Sequence, residues 1–205
     1  MSARKFRPSY ALAVVVAAVA VSATVVTTVS AAPTFPAIPE FDTDFYLPPD
    51  DVVAAAPGEI IAARPVDLAT LNLIPTQVDA WQLSYRSNNG RGEPIPAVTT
   101  VITPRGAASA PRPLLSVQMA EDSLAAYCAP SYVMRQGAVP WPLTGAVTSG
   151  VQFLEVQAAL AQGWAVSVPD HQGPNNAFAA GPVAGRITLD GIRAAESFAP
   201  MGLSG

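Results

Sequence analysis

Leu114–Gln118 (LLSVQ), Phe153–Gln162 (FLEVQAALAQ) and, after Gly163, Trp164–Val168 (WAVSV) are the segments on which the fold turns. The two short apolar runs read as buried strands. The Leu/Ala/Gln/Glu segment between them has helical composition, and Gly163 is a natural helix stop. Strand, helix, strand is a βαβ unit, which demands parallel neighbours. Upstream, the β-rich runs Asp79–Tyr85 (DAWQLSY) and Ile95–Ile102 (IPAVTTVI) flank the turn cluster Ser87-Asn88-Asn89-Gly90-Arg91-Gly92, which predicts an antiparallel hairpin with a longer loop. Downstream, Ala184, Ile187, Gly191, Ala194 or Ala195, and Phe198 fall on one face of a helix over roughly 183–198. The sequence therefore predicts an α/β chain: an N-terminal hairpin followed by a βαβ parallel-sheet unit. In such a sheet the last helix leads into another strand, whereas Pro200–Gly205 is turn material, so an incomplete sheet is expected.

The N-terminus carries an export signal. Arg4, Lys5 and Arg7 precede an uncharged, mostly apolar run from Ala11 to Val29, and the small residues Ser30 and Ala31 offer a cleavage site before Ala32-Pro33. Residues 1–31 are read as a signal peptide, with an uncleaved anchor as the alternative. Residues 32–65 hold Pro33, Pro36, Pro39, Pro48, Pro49 and Pro57 and predict an irregular arm, which leaves 66–205 as the folded domain. Half of the chain is hydrophobic and 13% is charged, a balance that suits strands buried on both faces. Losing the three basic residues of the signal takes the formal charge from −4 to −7. No basic patch is left to argue for nucleic acid.

Few residues carry chemistry. An exported chain with a single cysteine, Cys128, holds either a free thiol or a disulfide with a partner beyond residue 205. No Gly-x-Ser-x-Gly elbow occurs. The nearest look-alike, Val147-Thr148-Ser149-Gly150, lacks the first glycine and reads as a turn or helix cap. His171 is the only histidine, and it follows the strand Trp164–Val168 at the carboxyl end, where α/β folds place their sites. No elbow precedes it, so it reads as a pocket-lining residue. Asp170 sits beside it, and Glu121 and Asp122 form an acidic pair after Leu114–Gln118. These carboxylates lack metal-ligand spacing, and no glycine-rich phosphate loop is present, so neither a metal nor a cofactor is expected.

Taken in order, Ser116-Val117-Gln118, Glu121-Asp122-Ser123 and Cys128-Ala129-Pro130-Ser131-Tyr132 resemble the secretory lipases of fungi and actinobacteria. So do Gly163-Trp164-Ala165-Val166, Asp170-His171-Gln172-Gly173, Phe178, Ala180-Gly181 and Leu189-Asp190-Gly191-Ile192-Arg193-Ala194. Phe45-Tyr46, Pro48-Pro49, Pro57-Gly58 and Arg86-Ser87-Asn88 extend the similarity over nearly all of residues 42–200. The resemblance implies an incomplete α/β-hydrolase fold and a lipid or small-ester substrate. It also implies a serine nucleophile in sequence that follows Leu203 in that family. By the same resemblance Asp122 matches an oxyanion-hole aspartate and Cys128 a cysteine whose disulfide partner lies outside this chain. An ionised carboxylate repels an oxyanion, so Asp122 can act only through its backbone N–H or a protonated side chain. Pro169 and Pro174-Asn175-Asn176 depart from the family pattern and bear on the shape of the pocket. Two other readings stand beside this one: a non-enzymatic exported module that binds lipid or the cell envelope, and a self-sufficient hydrolase using Ser123 and His171. A transient contact with a lipid interface suits the first two readings.

Overall fold

A computed structural model describes residues 35–48, 51–106, 108, 110–121, 123–139 and 143–203. The signal segment 1–31 and Asp122 lie outside the described residues. In chain order, the short helices α1 (Thr43–Tyr46) and α2 (Asp51–Ala54) lead to strand β1 (Ile60–Pro65). Strands β2 (Ala69–Thr70) and β3 (Ile74–Pro75) make a small ribbon, and β4 (Val78–Asn88) and β5 (Pro94–Pro104) make the long hairpin. Strand β6 (Leu114–Ser116), helices α3 (Pro130–Val133) and α4 (Leu143–Ala161), strand β7 (Ala165–Pro169) and helix α5 (Gly181–Ser197) follow. The main sheet has the order β1-β4-β5-β7-β6. β6 and β7 pair in parallel, and the other neighbours are antiparallel. This is the predicted hairpin joined to the predicted βαβ unit.

Strand alternation assigns the two faces. On one face Ala80, Ile102, Val166 and Val168 pack with Phe153, Val156, Ala159 and Leu160 of α4. On the other, Leu83, Tyr85, Ala97, Val101 and Ala165 pack with Ile187, Ala194 and Ala195 of α5. Every residue of β7 is buried, as the apolar run WAVSV predicts for a strand covered on both sides. A polar pair survives in this core because Thr99 and Ser167, both buried, join their hydroxyls across the strands at 2.8 Å.

Three sequence readings change. The arm predicted to be irregular over 32–65 contains regular elements in its described part. Pro39 opens a 3-10 turn (Pro39–Phe41), a first-turn position that needs no N–H. Ile60–Pro65 joins the sheet as an edge strand with proline at its last position, where a lost ladder bond costs least. Secondly, α4 begins at Leu143, ten residues before the predicted Phe153, so Val147–Gly150 is helix interior rather than turn or cap. The low helix propensity of Thr148, Ser149 and Gly150 is outweighed by the 19-residue element around them. Thirdly, α5 buries a charged residue that the apolar pattern omits: Asp190 is 3% exposed and accepts from the Ser87 hydroxyl at 2.8 Å.

Gly58 shows why the arm needs a glycine where it meets the sheet. Its φ is +83°, and a Cβ there would stand 2.6 Å from Cβ of Arg193 on α5.

Candidate functional site

The site is built where β7 ends. The Asp170 N–H continues the β5 ladder by donating to the Val98 carbonyl at 2.9 Å, so the next two side chains leave the sheet in opposite directions. Asp170 turns to α3. Its Oδ1 accepts the Ser131 N–H at 2.8 Å and its Oδ2 accepts the Ser131 hydroxyl at 2.5 Å. The Ser131 Oγ also lies 2.8 Å from the Tyr46 hydroxyl of α1. The Ser131 carbonyl accepts from Nε2 of Gln82 at 2.5 Å, and Oε1 of Gln82 accepts from Nε and Nη2 of Arg64 at 2.9 and 2.8 Å. Burial, and after it the charge of Glu121, pushes the Asp170 carboxyl up to about 8, against the pull of Ser131's two hydrogen bonds. Burial, and then Asp170, raises the Tyr46 phenol.

His171 turns to the loop after β6. Its backbone N–H donates to Oε1 of Glu121 at 2.9 Å, and Nε2 of Gln172 donates to the Glu121 carbonyl. The imidazole Nδ1 stands 3.0 Å from the same Oε1, yet it is not aligned as a hydrogen bond. The contact strengthens when the ring is protonated, because the imidazolium then faces a carboxylate oxygen. Glu121 accordingly raises the imidazole pKa above its usual value, while burial of the ring opposes it. One residue earlier, the Ala120 N–H donates to Oε1 of Gln152 on α4 at 2.9 Å. Just past Asp122, Ser123 Oγ accepts the Ala125 N–H at 3.1 Å. The residues on both sides of Asp122 are thus tied down, by α4 and the β7 loop before it and by a local turn after it.

Beside these two arrays lies an open cleft of about 90 Å³, lined among others by Tyr46, Leu47, Pro96, Val98, Ala126 and Ala129 and reached by Glu121 and Asp170. Among the described residues no group of three His, Cys, Asp or Glu side chains is placed to hold a metal ion.

Several residues of this site are the ones the sequence singles out. The structure brings His171 and Glu121 together and places Asp170 at the same strand end. It does not join Ser123 to His171: Ser123 caps a turn, and His171 faces Glu121. Cys128 is a half-buried free thiol in the 3-10 turn Ala126–Cys128. Sequence reasoning misses Ser131, Tyr46 and Gln82, whose pairings span 39, 85 and 49 residues. Ser131 and Tyr46 lie in stretches that resemble the family, but nothing local marks them, or Gln82, as members of one array with Asp170.

A mixed sheet covered by helices on both faces, with its polar groups gathered at the carboxyl end of a parallel pair, defines an α/β chain of the α/β-hydrolase type. The secretory lipase family model matches residues 138–204. A secreted triacylglycerol lipase of Malassezia furfur is 41% identical over 167 residues, 81% of this chain and 34% of that protein. A Mycobacterium tuberculosis protein named as a probable inactive lipase is 44% identical over 164 residues, 80% of this chain and 36% of that protein. The crystal structure of Candida antarctica lipase A in its closed state superposes with a TM-score of 0.69 at 32% identity, over 82% of this chain and 38% of that one. The chain is a relative of the secretory lipases, the family its motifs resemble, and it spans about a third of the length of the curated relatives it matches. Relatives named as secreted agree with the secretion expected from the N-terminus.

Proposed function

We propose that residues 42–203 form the oxyanion-side portion of a secreted triacylglycerol lipase or carboxylesterase, whose serine nucleophile is supplied by sequence outside residues 1–205. The observation that carries this reading is the double anchoring around Asp122. The Ala120 and Glu121 contacts hold the loop at the carboxyl end of β6 and β7, where a backbone donor can meet an oxyanion without rearranging. Asp122 is the oxyanion-side residue and its N–H the donor. His171 is not the catalytic base: it orients Glu121 and lines a separate small pocket with Gln172, Ala177 and Ala184 rather than the cleft beside Asp170. Cys128 pairs with a cysteine outside this chain, for which its half-buried position leaves room. The substrates are lipid or small esters, attacked through an acyl-enzyme that water releases.

A preorganised donor of this kind is worth ~10² to 10³ in rate once a nucleophile is present, and nothing without one. Purified as residues 32–205, the chain is expected to hydrolyse short-chain p-nitrophenyl esters no faster than buffer, and a fluorophosphonate probe is expected to leave Ser123 unlabelled. Robust turnover lost in His171→Ala would overturn the reading. An exported lipid-binding module is the second reading, favoured by the mostly apolar walls of the cleft beside Asp170.

A further inference from the structure

The ribbon β2–β3 carries large apolar side chains where a surface turn ordinarily carries polar ones. Leu71, Leu73 and Ile74 at its tip are 51%, 80% and 62% exposed, and Leu68–Val78 (LATLNLIPTQV) contains no charged residue. Phe35, exposed as well, joins the same corner. Its ring comes within 3.6 Å of the place a Cβ on Gly137 would take, and the Gly137 N–H donates to the Asn72 carbonyl at 3.0 Å. Leu71 and Asn72 have φ of +51° and +61°, a left-handed region that asparagine tolerates and leucine disfavours. A glycine at position 71 would avoid that strain, so the leucine carries a conformational cost that a half-exposed side chain recovers little of by packing within the chain. The polar groups of the turn are already used. The N–H groups of Asn72 and Leu73 donate to the carbonyls of Ala69 and Thr70, each at 3.3 Å, and the Asn72 amide donates to the carbonyls of Val133 and Arg135. These groups lose no hydrogen bond when the tip leaves water.

We propose that this corner docks the chain on a lipid surface of no net charge, with Leu71, Leu73 and Ile74 entering the acyl layer, Phe35 beside them and Asn72 holding the turn in shape. A protein partner sets its orientation through a polar rim, whereas this turn offers no charge and has spent its amide internally. A fluid acyl layer accepts a convex apolar tip without a matching shape. The charges of the chain select against an anionic surface. Asp67 and Asp79 flank the segment, Arg135 at the base of the ribbon is half-buried, and removal of the signal takes the formal charge from −4 to −7. The inference goes beyond the hydrolase reading, since docking requires no nucleophile and breaks no bond, and it does not use the cleft beside Asp170.

The test is flotation of the exported chain, residues 32–205, with vesicles of phosphatidylcholine and with vesicles of phosphatidylglycerol, at about 0.1 and about 1 M salt. The expected result is binding to phosphatidylcholine that salt does not weaken, and weaker binding to phosphatidylglycerol at the lower salt. Leu71→Gly combined with Leu73→Ser should reduce binding to phosphatidylcholine by at least about tenfold, because two leucines no longer leave water. The melting transition should persist in that variant, since both side chains are exposed and the glycine relieves the left-handed strain. Leu189→Ser on α5, an equally exposed leucine on the other side of the sheet, should leave binding unchanged. No binding to phosphatidylcholine, binding abolished at the higher salt, a preference for phosphatidylglycerol, or equal loss in Leu189→Ser and in the turn variant would each overturn the proposal. Dimers dispersed by the turn variant, without vesicle binding, would assign the corner to a second copy of the chain and overturn it too. Because the readout is flotation, failure of the ester assay leaves the proposal untouched, and its own failure leaves the lipase reading untouched.

Discussion

At the scale of single residues, two buried groups make the chain's stability depend on pH in the same direction. Asp170 holds its proton up to about pH 8, whereas an ordinary aspartate loses it near 3.8. His171, raised by Glu121, likewise holds its proton above the usual imidazole range. In both cases the folded chain binds more protons than the unfolded one. The stabilisation is full below the unfolded pKa and is lost as pH rises through the folded value. The urea midpoint should therefore fall between about pH 4 and pH 8, and Asp170→Asn should flatten that slope even though it weakens the Ser131 contacts. Equal slopes for the two chains would show that Asp170 titrates normally. A second prediction concerns Gly191, where a Cβ would stand 2.8 Å from the Tyr85 hydroxyl, a group that donates to the Ile187 carbonyl. Gly191→Ala should cost ~1–3 kcal/mol by overpacking, despite its better helix propensity. Adding Tyr85→Phe removes the obstructing oxygen, so a double-mutant cycle by urea unfolding should return a favourable coupling. Additive losses would place the clash elsewhere.

At the scale of elements, the N-terminal arm is held by charge and stacking. The Arg64 guanidinium of β1 lies 3.9 Å from the Phe45 ring centroid, pairs with Asp42 at 2.6 Å and donates to Gln82. Arg64→Ala is expected to lower stability by ~1–2 kcal/mol, mostly through the lost cation–π contact. It should also speed proteolytic cleavage within residues 35–48, because the arm can then lift without unfolding the sheet. An unchanged cleavage rate would mean that Tyr46 and Ser131 alone seat the arm. This arm is also where the sequence was least legible. Its prolines read as a bar to regular structure, yet Pro39 and Pro65 occupy the terminal positions where proline is tolerated. The hairpin, the βαβ unit and α5 were legible because period-2 and helical patterns are local signals. The site was legible only in part. Glu121, Asp170 and His171 announce themselves as charges at strand ends, but Ser131 and Tyr46 become functional only through contacts across 39 and 85 residues, which no local pattern encodes.

For the whole molecule, the arrangement of the two cores bears on how its function can be tested. The α4 core and the α5 core lie on opposite faces of one sheet and share β4, β5 and β7, so neither can dissolve without exposing the strands that the other needs. The described residues form both layers although the chain spans only about a third of its relatives. A single cooperative urea transition is therefore expected, whether the chain acts as a portion of a lipase or as a module in its own right. Phe153→Ala on the α4 face should lower that transition by ~3–5 kcal/mol and Ile187→Ala on the α5 face by ~2–5 kcal/mol. Both losses should appear in far-ultraviolet circular dichroism and in tryptophan fluorescence at the same midpoint. Two separated transitions would mean that the faces fold independently. If the transition is single, folding by itself does not distinguish an enzyme portion from a binding module. The distinction then falls to chemistry at the carboxyl end of β7: ester turnover on one side, and occupancy of the cleft beside Asp170 on the other.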